Sequence, residues 1–275
     1  MSDAPTAHPF DAALQLEPTA APGAYRAHTS PAYNNMVGPF GGMTAATLVG
    51  AVQSHPDVLG DPLSLTVNYA GAIAEGELDI AVTPARTNRT NQHWNLEISQ
   101  NGEITTTATA VFGLRRETWT DTEVTPPEAP EPTTIDRAGF PEFIAWARNY
   151  DLRFVAGGLS ERQSPHPDSI STMWIRDEPV RPLDFTSLTA MCDAFYPRAF
   201  LRRGTYLPAG TVTFTVYFHA TSDELAAHGD DYLLATARAQ RFGKGYFDQT
   251  GELWSHDGTL LATTHQLVYF KADNA

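Results

Sequence analysis

The two halves of this chain end in the same pattern. Near the middle it reads NGEITTTATAVFGLR, from Asn101 to Arg115, and at its end DGTLLATTHQLVYFK, from Asp257 to Lys271. Each copy starts with Asn-Gly or Asp-Gly, the dipeptides that turn a tight hairpin, and continues as a long β-prone run. Similar units in one chain imply a duplicated fold. The polar residues that differ between the copies then become the pointers to a site.

The first unit opens with a strand from Ala24 to His28. A helix from Phe40 to Ser54 follows, entered through Gly38-Pro39-Phe40-Gly41-Gly42, whose backbone amides no bulky side chain shields. Its body, MTAATLVGAV, is small and apolar on all sides, which marks a buried helix. Strands are predicted over Leu63–Ala70, Glu77–Ala85, Gln92–Gln100 and Ile104–Arg115. TPPEAPEPTT, Thr125–Thr134, is a proline-rich acidic linker, and a short helix over Pro141–Asn149 comes after it. The second unit has strands over Leu152–Ala156 and Ser171–Ile175, then a helix over Phe185–Phe200. Further strands are expected over Thr211–His219, Tyr232–Gln240, Tyr246–Trp254 and Leu260–Lys271. The expected division is an N-terminal unit at 1–120, a linker and short helix at 121–149, and a C-terminal unit at 150–275. Short hairpin links require antiparallel strands, since parallel strands need long crossovers. Each unit is thus one buried helix wrapped by a curved antiparallel sheet. This is the hotdog arrangement, and twice in tandem it makes an α+β double hotdog.

Composition narrows the function. A net charge of -14 argues against a nucleic-acid or general polyanion binder, though not against a local basic pocket for one phosphorylated ligand. Cys192 is the only cysteine, so no intramolecular disulfide forms, and in an apolar helix it reads as a small core residue rather than a nucleophile. The 9 histidines show no metal-ligand spacing, so no metal site is expected. No G-x-S-x-G elbow appears. The N-terminus lacks a basic start followed by an apolar core, and no apolar run is long enough to span a membrane, so a soluble, cytoplasmic protein is expected.

Two residues of the second unit stand out. Asp193 is the only acid in FTSLTAMCDAFYP, and its helical neighbours Ala190, Ala194 and Pro197 are apolar. A carboxylate there is either partly buried, at a cost unless partners meet it, or at a solvent-facing edge. The roughly equivalent place in the first helix is near Leu48. On the last strand, alternation puts Leu260, Ala262, Thr264, Gln266, Val268 and Phe270 on one face. Gln266 is an amide among apolar neighbours, where the first unit has Ala110. It is either a structural glutamine bonded to backbone or part of a site. On the strand from Thr211, alternation puts Thr211, Thr213 and Thr215 on one face and does not choose among them. An Asp, a Gln and a Thr meeting in one cavity suit water activation: the Asp as general base, the amide and hydroxyl holding water or a carbonyl, and a bare helix N-terminus facing an oxyanion.

These features resemble the type II acyl-CoA thioesterase family over nearly the whole chain, from about Tyr33 to Lys271. GPFGGMTAA is similar to the family's FGG segment at the start of its first hotdog helix. LSLTVNYAGAIAEG resembles a strand ending in an acidic-Gly turn. Asp193 matches the family's helix aspartate, TVTFTVYFHA its strand ending in an aromatic-Phe-His trio, and YLLATARAQRFGKGYFDQTGELWSHDGTLLATTHQ its closing strands. Thr213-Phe214 stand where the family often has Asp-His. Asn88-Arg89-Thr90-Asn91 replace its Gly-Arg segment. The resemblance implies a catalytic triad of Asp193, Thr211 and Gln266 that positions water to hydrolyse acyl-CoA to free acid and CoA, without metal or cofactor. Gly41, Gly42, Thr213 and His219 are the candidate substrate-binding residues. A homo-oligomer, dimer or higher, is expected. Two other readings stand at this level. One is a hotdog dehydratase or hydratase on acyl-CoA, which would want a His paired with an acid. The other is a non-catalytic acyl-CoA binding protein.

Overall fold

The computed structural model describes residues 7–158 and 164–271. Met1–Thr6, part of the stretch read above for a leader, lie outside the described residues. The first unit comprises α1 (Pro9–Ala13), β1 (Glu17–Pro18), β2 (Ala24–His28), α2 (Gly41–Gln53), β3 (Asp61–Tyr69), β4 (Glu77–Thr87), β5 (Asn91–Gln100) and β6 (Glu103–Gly113). The second comprises β7 (Tyr150–Ala156), β8 (Ser171–Asp177), α3 (Phe185–Met191), α4 (Arg198–Arg203), β9 (Ala209–Phe218), α5 (Ser222–His228), β10 (Leu233–Arg238), β11 (Phe242–Gly243), β12 (Tyr246–Trp254) and β13 (Leu260–Phe270).

The strands form one antiparallel sheet, in the order β1-β2-β4-β5-β6-β3-β9-β13-β12-β10-β8-β7, with β11 pairing β12. The order mirrors itself about the β3–β9 junction: the long C-terminal hairpin of each unit, β5–β6 and β12–β13, lies just beyond its central strand. At that junction Thr66 pairs with Thr215, and their hydroxyls lie 3.1 Å apart. The sheet curls around α2 and α3, which pack on each other inside it. The duplicated hotdog expected from the repeat is the observed architecture.

α2 is apolar all round because it is enclosed; ten of its residues, from Gly42 to Val52, are buried. Gly42 lets the two helices touch. A Cβ there would stand 2.5 Å from the Ala190 carbonyl oxygen, inside any allowed contact.

Two helix boundaries differ from expectation. The helix expected over Phe185–Phe200 is two: α3 ends at Met191, and α4 begins only at Arg198. Pro197 accounts for the break, since proline biases the residue before it away from the helical region and has no N–H to donate. Between the helices the chain tightens, with Asp193 N–H donating to Ala190 O and Ala194 N–H to Met191 O, both at 3.1 Å. The helix expected over Pro141–Asn149 shortens to a 3-10 turn at Ala145–Asn149. The Trp146 N–H goes to Asn34 O at 3.2 Å rather than up its own helix, and the indole stacks on Phe40 at a centroid distance of 4.3 Å.

Candidate active site

Asp193 sits in the tight turn just beyond α3, against the start of α2. Its carboxyl is enclosed by protein although the residue keeps a partly open edge. The partners expected of a buried carboxylate are present. Gln266, buried on β13, donates from Nε2 to Asp193 Oδ1 at 2.7 Å. Thr211 on β9 donates from Oγ1 to Gln266 Oε1 at 3.2 Å. The Gly42 N–H at the start of α2 also donates to the carboxylate. Burial pushes the Asp193 carboxyl up to about 7, while the Gln266 and Gly42 donors pull it down.

A bulge decides which threonine faces this group. Along β9 and β13 the pairs run Gln266↔Phe214 and Leu267↔Thr213, and then Val268↔Thr211, so Val212 is an extra residue. One inserted residue reverses which face every later side chain takes. Phe214 and Val268 are buried on the inner face, and the bulge turns Thr211 to that same face, within reach of Gln266. Simple alternation put Thr211 and Thr213 together; the structure separates them. Thr213 pairs with the exposed Leu267 and with Asn68, on the outer face of the sheet.

The remaining sequence candidates divide the same way. Gly41 and Gly42 are at the site. A Cβ on Gly41 would fall 2.8 Å from Asp193 Oδ2 and 3.2 Å from the Tyr69 hydroxyl, so only glycine leaves this approach open. The Gly42 amide, expected to face an oxyanion, is already engaged by Asp193. His219 is at the far end of β9 from Thr211, on the order of 25 Å along the strand. There its Nε2 lies 3.0 Å from the Thr263 hydroxyl, tying the strand end. Cys192 is fully buried and its thiol is pushed well above the usual range by burial and by Asp193, which removes it as a nucleophile.

Sequence reading did not single out two groups here. Tyr69, at the end of β3, donates its hydroxyl to Gly41 O at 2.8 Å and so braces the helix start beside Asp193. Gln249 on β12 is the direct cross-strand partner of Gln266. Its signal was available, because alternation along β12 puts it among Phe247, Gly251 and Leu253, as it put Gln266 among apolar residues. Among the described residues no cluster of His, Cys, Asp and Glu could hold a metal ion, and no helix is long and apolar enough to cross a membrane.

The fold and its enclosed carboxylate define a double-hotdog protein. A solved structure of a conserved hotdog-fold protein of unknown function from Alicyclobacillus acidocaldarius is 45% identical, covers 98% of this chain and 100% of that chain, and has a TM-score of 0.93. A putative thioesterase II from Thermobifida fusca shares the fold at 18% identity (96% of this chain, 97% of that chain, TM-score 0.82). So does an acyl-CoA thioesterase II from Mycobacterium marinum, also at 18% identity (96% of this chain, 99% of that chain, TM-score 0.76). No protein of curated function matches the sequence. The family model for the acyl-CoA thioesterase N-terminal domain matches residues 30–113, and that for the C-terminal domain matches residues 122–270. The chain therefore belongs to the acyl-CoA thioesterase family, and it is a thioester hydrolase.

Proposed function

We propose that the protein hydrolyses an acyl-CoA to free acid and CoA by direct attack of a water molecule that Asp193 activates. The observation that carries this reading is the hydrogen-bond chain Thr211–Gln266–Asp193. Each member has a distinct task. The Asp193 carboxylate takes a proton from water, and the water oxygen bonds to the thioester carbon. Gln266 holds the carboxylate in place. Thr211, whose proton is committed to Gln266, presents an oxygen that accepts a proton of the attacking water. The Gly41 amide at the start of α2 faces the carbonyl oxygen as negative charge develops. The C–S bond then breaks, and the proton held by Asp193 passes to the CoA sulfur, restoring the carboxylate.

The electrostatics support a base at this position. A carboxyl with its pKa at about 7 is a far stronger base than a solvated one and is still substantially ionised at neutral pH. A hydratase would want a histidine beside this acid, and the histidine singled out for substrate contact, His219, is at the other end of β9.

A thiol-release assay over short, long and branched acyl-CoAs is expected to show turnover by the purified protein. Asp193→Asn preserves the shape of the turn and should lower kcat by about 10²–10⁴-fold, the range of a general base. No turnover on any chain length would sink the reading. Full activity in Asp193→Asn would reject Asp193 as the base.

A further inference from the structure

A second polar group lies beside the Thr211–Gln266–Asp193 chain and is not part of it. Arg198, at the start of α4, has 0% exposure. Its guanidinium donates from Nε to Tyr196 O (3.0 Å) and Gln249 Oε1 (3.1 Å), from Nη1 to Ser169 O (3.2 Å) and Ser171 Oγ (2.6 Å), and from Nη2 to Tyr196 O (2.5 Å). All of these acceptors are neutral, and among the described residues no carboxylate pairs with Arg198. An enclosed cation without a nearby anion is costly. Burial lowers the guanidinium only to about 10, so it stays charged at neutral pH.

Arg198 fixes the orientation of Gln249. A guanidinium has only donors, so the glutamine must turn its oxygen toward it and its amide nitrogen away. No described residue accepts a hydrogen bond from that nitrogen. Gln249 is buried at 2% exposure on the inner face of the sheet, directly across from Gln266, with the two Cβ atoms about 5 Å apart. The next inward pair along the same strands is Gly251↔Thr264. Thr264 is 4% exposed, and its hydroxyl is buried without a hydrogen-bond partner. Two donors, one amide and one hydroxyl, thus lie unspent beside Gln266, backed by a positive charge; the Phe195 ring and the Thr264 methyl cover Gly251 between them. In the sheet Thr211 on β9 lies to one side of Gln266 and Gln249 on β12 to the other.

We propose that Gln249 and Thr264 form the acyl-recognition part of this site, and that the preferred substrate is a CoA thioester whose acyl group ends in a carboxylate a few carbons from the thioester. The inference rests on the thioesterase reading above. Gln249 Nε2 and Thr264 Oγ1 donate to the carboxylate. Arg198 is a positioning residue: it holds the Gln249 amide and places a full positive charge behind it, which strengthens the hydrogen bond it makes to an anion. The substrate carboxylate in turn supplies the negative charge that Arg198 lacks.

The test compares glutaryl-CoA with pentanoyl-CoA, two five-carbon acyl groups that differ at the far end only, in a thiol-release assay on the full chain. The wild-type protein is expected to favour glutaryl-CoA in kcat/KM by about tenfold or more, since a site built to hydrogen-bond a group discriminates strongly against its absence. Gln249→Leu leaves an apolar side chain of similar bulk and removes the donor; the ratio should collapse toward one or invert. Thr264→Val should lower the ratio by a smaller factor and provides the test if Gln249→Leu does not fold. A wild-type preference for pentanoyl-CoA, or a ratio unmoved in both variants, overturns the proposal while leaving the thioesterase reading intact. An equal fall on both substrates in Gln249→Leu assigns the amide to the thioester carbonyl instead and also overturns it. No CoA release from these or any other acyl-CoA fails the thioesterase reading itself.

Discussion

The two hairpins β5–β6 and β12–β13 are the same element used in opposite ways. In the first unit two inward cross-strand pairs, Trp94↔Ala110 and Leu96↔Ala108, are buried and apolar. In the second the corresponding pairs are Gln249↔Gln266 and Gly251↔Thr264. The backbone ladder is the same; the side chains change from a packed core to hydrogen-bonding groups. At this register one copy supplies apolar burial to a shared sheet, and its buried amides, Gln92 and Gln100, are spent on backbone groups at the two ends of β5; the other copy sets its amide in a chain with a carboxylate that burial alone would disfavour. The lesson is one of tolerance. A polar site this deep stands because its groups bond one another, Thr211 to Gln266 and Gln266 to Asp193, in a sheet whose other copy, joined through β3 and β9, is packed apolar at the same register.

The sharpest way to break the comparison is to exchange residues between copies. Gln266→Ala imposes the first unit's residue on the second. It removes the partner of both Thr211 and Asp193, and kcat should fall by about 10²-fold or more, as expected when a general base loses its orienting group. The reciprocal Ala110→Gln places an amide between Trp94 and Leu65, and neither side chain offers an acceptor for its N–H groups. Its cost should appear as lost stability, about 1–3 kcal/mol for a buried unsatisfied polar group, with kcat kept. Denaturant unfolding and the thiol-release assay separate the two outcomes. If Ala110→Gln abolished turnover with its stability intact, the first unit would have a catalytic part that this assignment denies it.

The bulge on β9 gives a smaller contrast. Thr211→Val removes the hydroxyl that touches Gln266 and should reduce kcat by about tenfold, the scale of one neutral hydrogen bond. Thr213→Val alters the outer face of the sheet and should leave kcat within about twofold of wild type. Comparable losses from both would mean that the side chains do not follow the register shift at Val212.

This pair also marks where the sequence stops being legible. The repeat, its hairpin turns and the buried α2 are local patterns, and each survives into the fold with boundaries shifted by a residue or two. Asp193 and Gln266 are legible as polar residues at positions where the other copy is apolar. The choice of Thr211 over Thr213 is not legible from periodicity, because a bulge is a property of two strands pairing and leaves no mark in a strand that alternates cleanly. The broken helix between Met191 and Arg198 follows from Pro197, a local signal outweighed by the apolar run on both sides of it. The short helix α5 has a plain signal that the strand pattern around it obscured: Thr221 and Glu224 form a capping box, each side chain meeting the other's backbone N–H. Arg198 is hardest to read. Nothing in PRAFLRR distinguishes an enclosed arginine from its solvated neighbours, and only the fold, which sets it against Gln249 and Ser171, makes the difference.

The finest test of the contrast is the pH dependence of stability, because the first unit has no counterpart to the Asp193 carboxylate. Unfolded, this carboxyl ionises near 3.8; folded, it ionises at about 7. Between those values the unfolded chain releases a proton that the folded protein retains, so the native state loses stability steadily as pH rises through the window, and the whole cost is present above it. Asp193→Asn removes the titration and keeps an oxygen for the Gln266 donor. The variant should therefore melt on the order of a few °C above wild type at pH 8, and the gap should close as pH falls toward 4, where wild type is protonated as well. In wild type, kcat/KM should climb about tenfold per pH unit below 7 and level off above it, since the base works only when ionised. Thermal melts of both proteins at pH 5 and pH 8 decide the matter: a constant gap would show that Asp193 titrates as an ordinary solvated carboxylate, and the contrast between the two copies would then rest on their hairpin side chains alone.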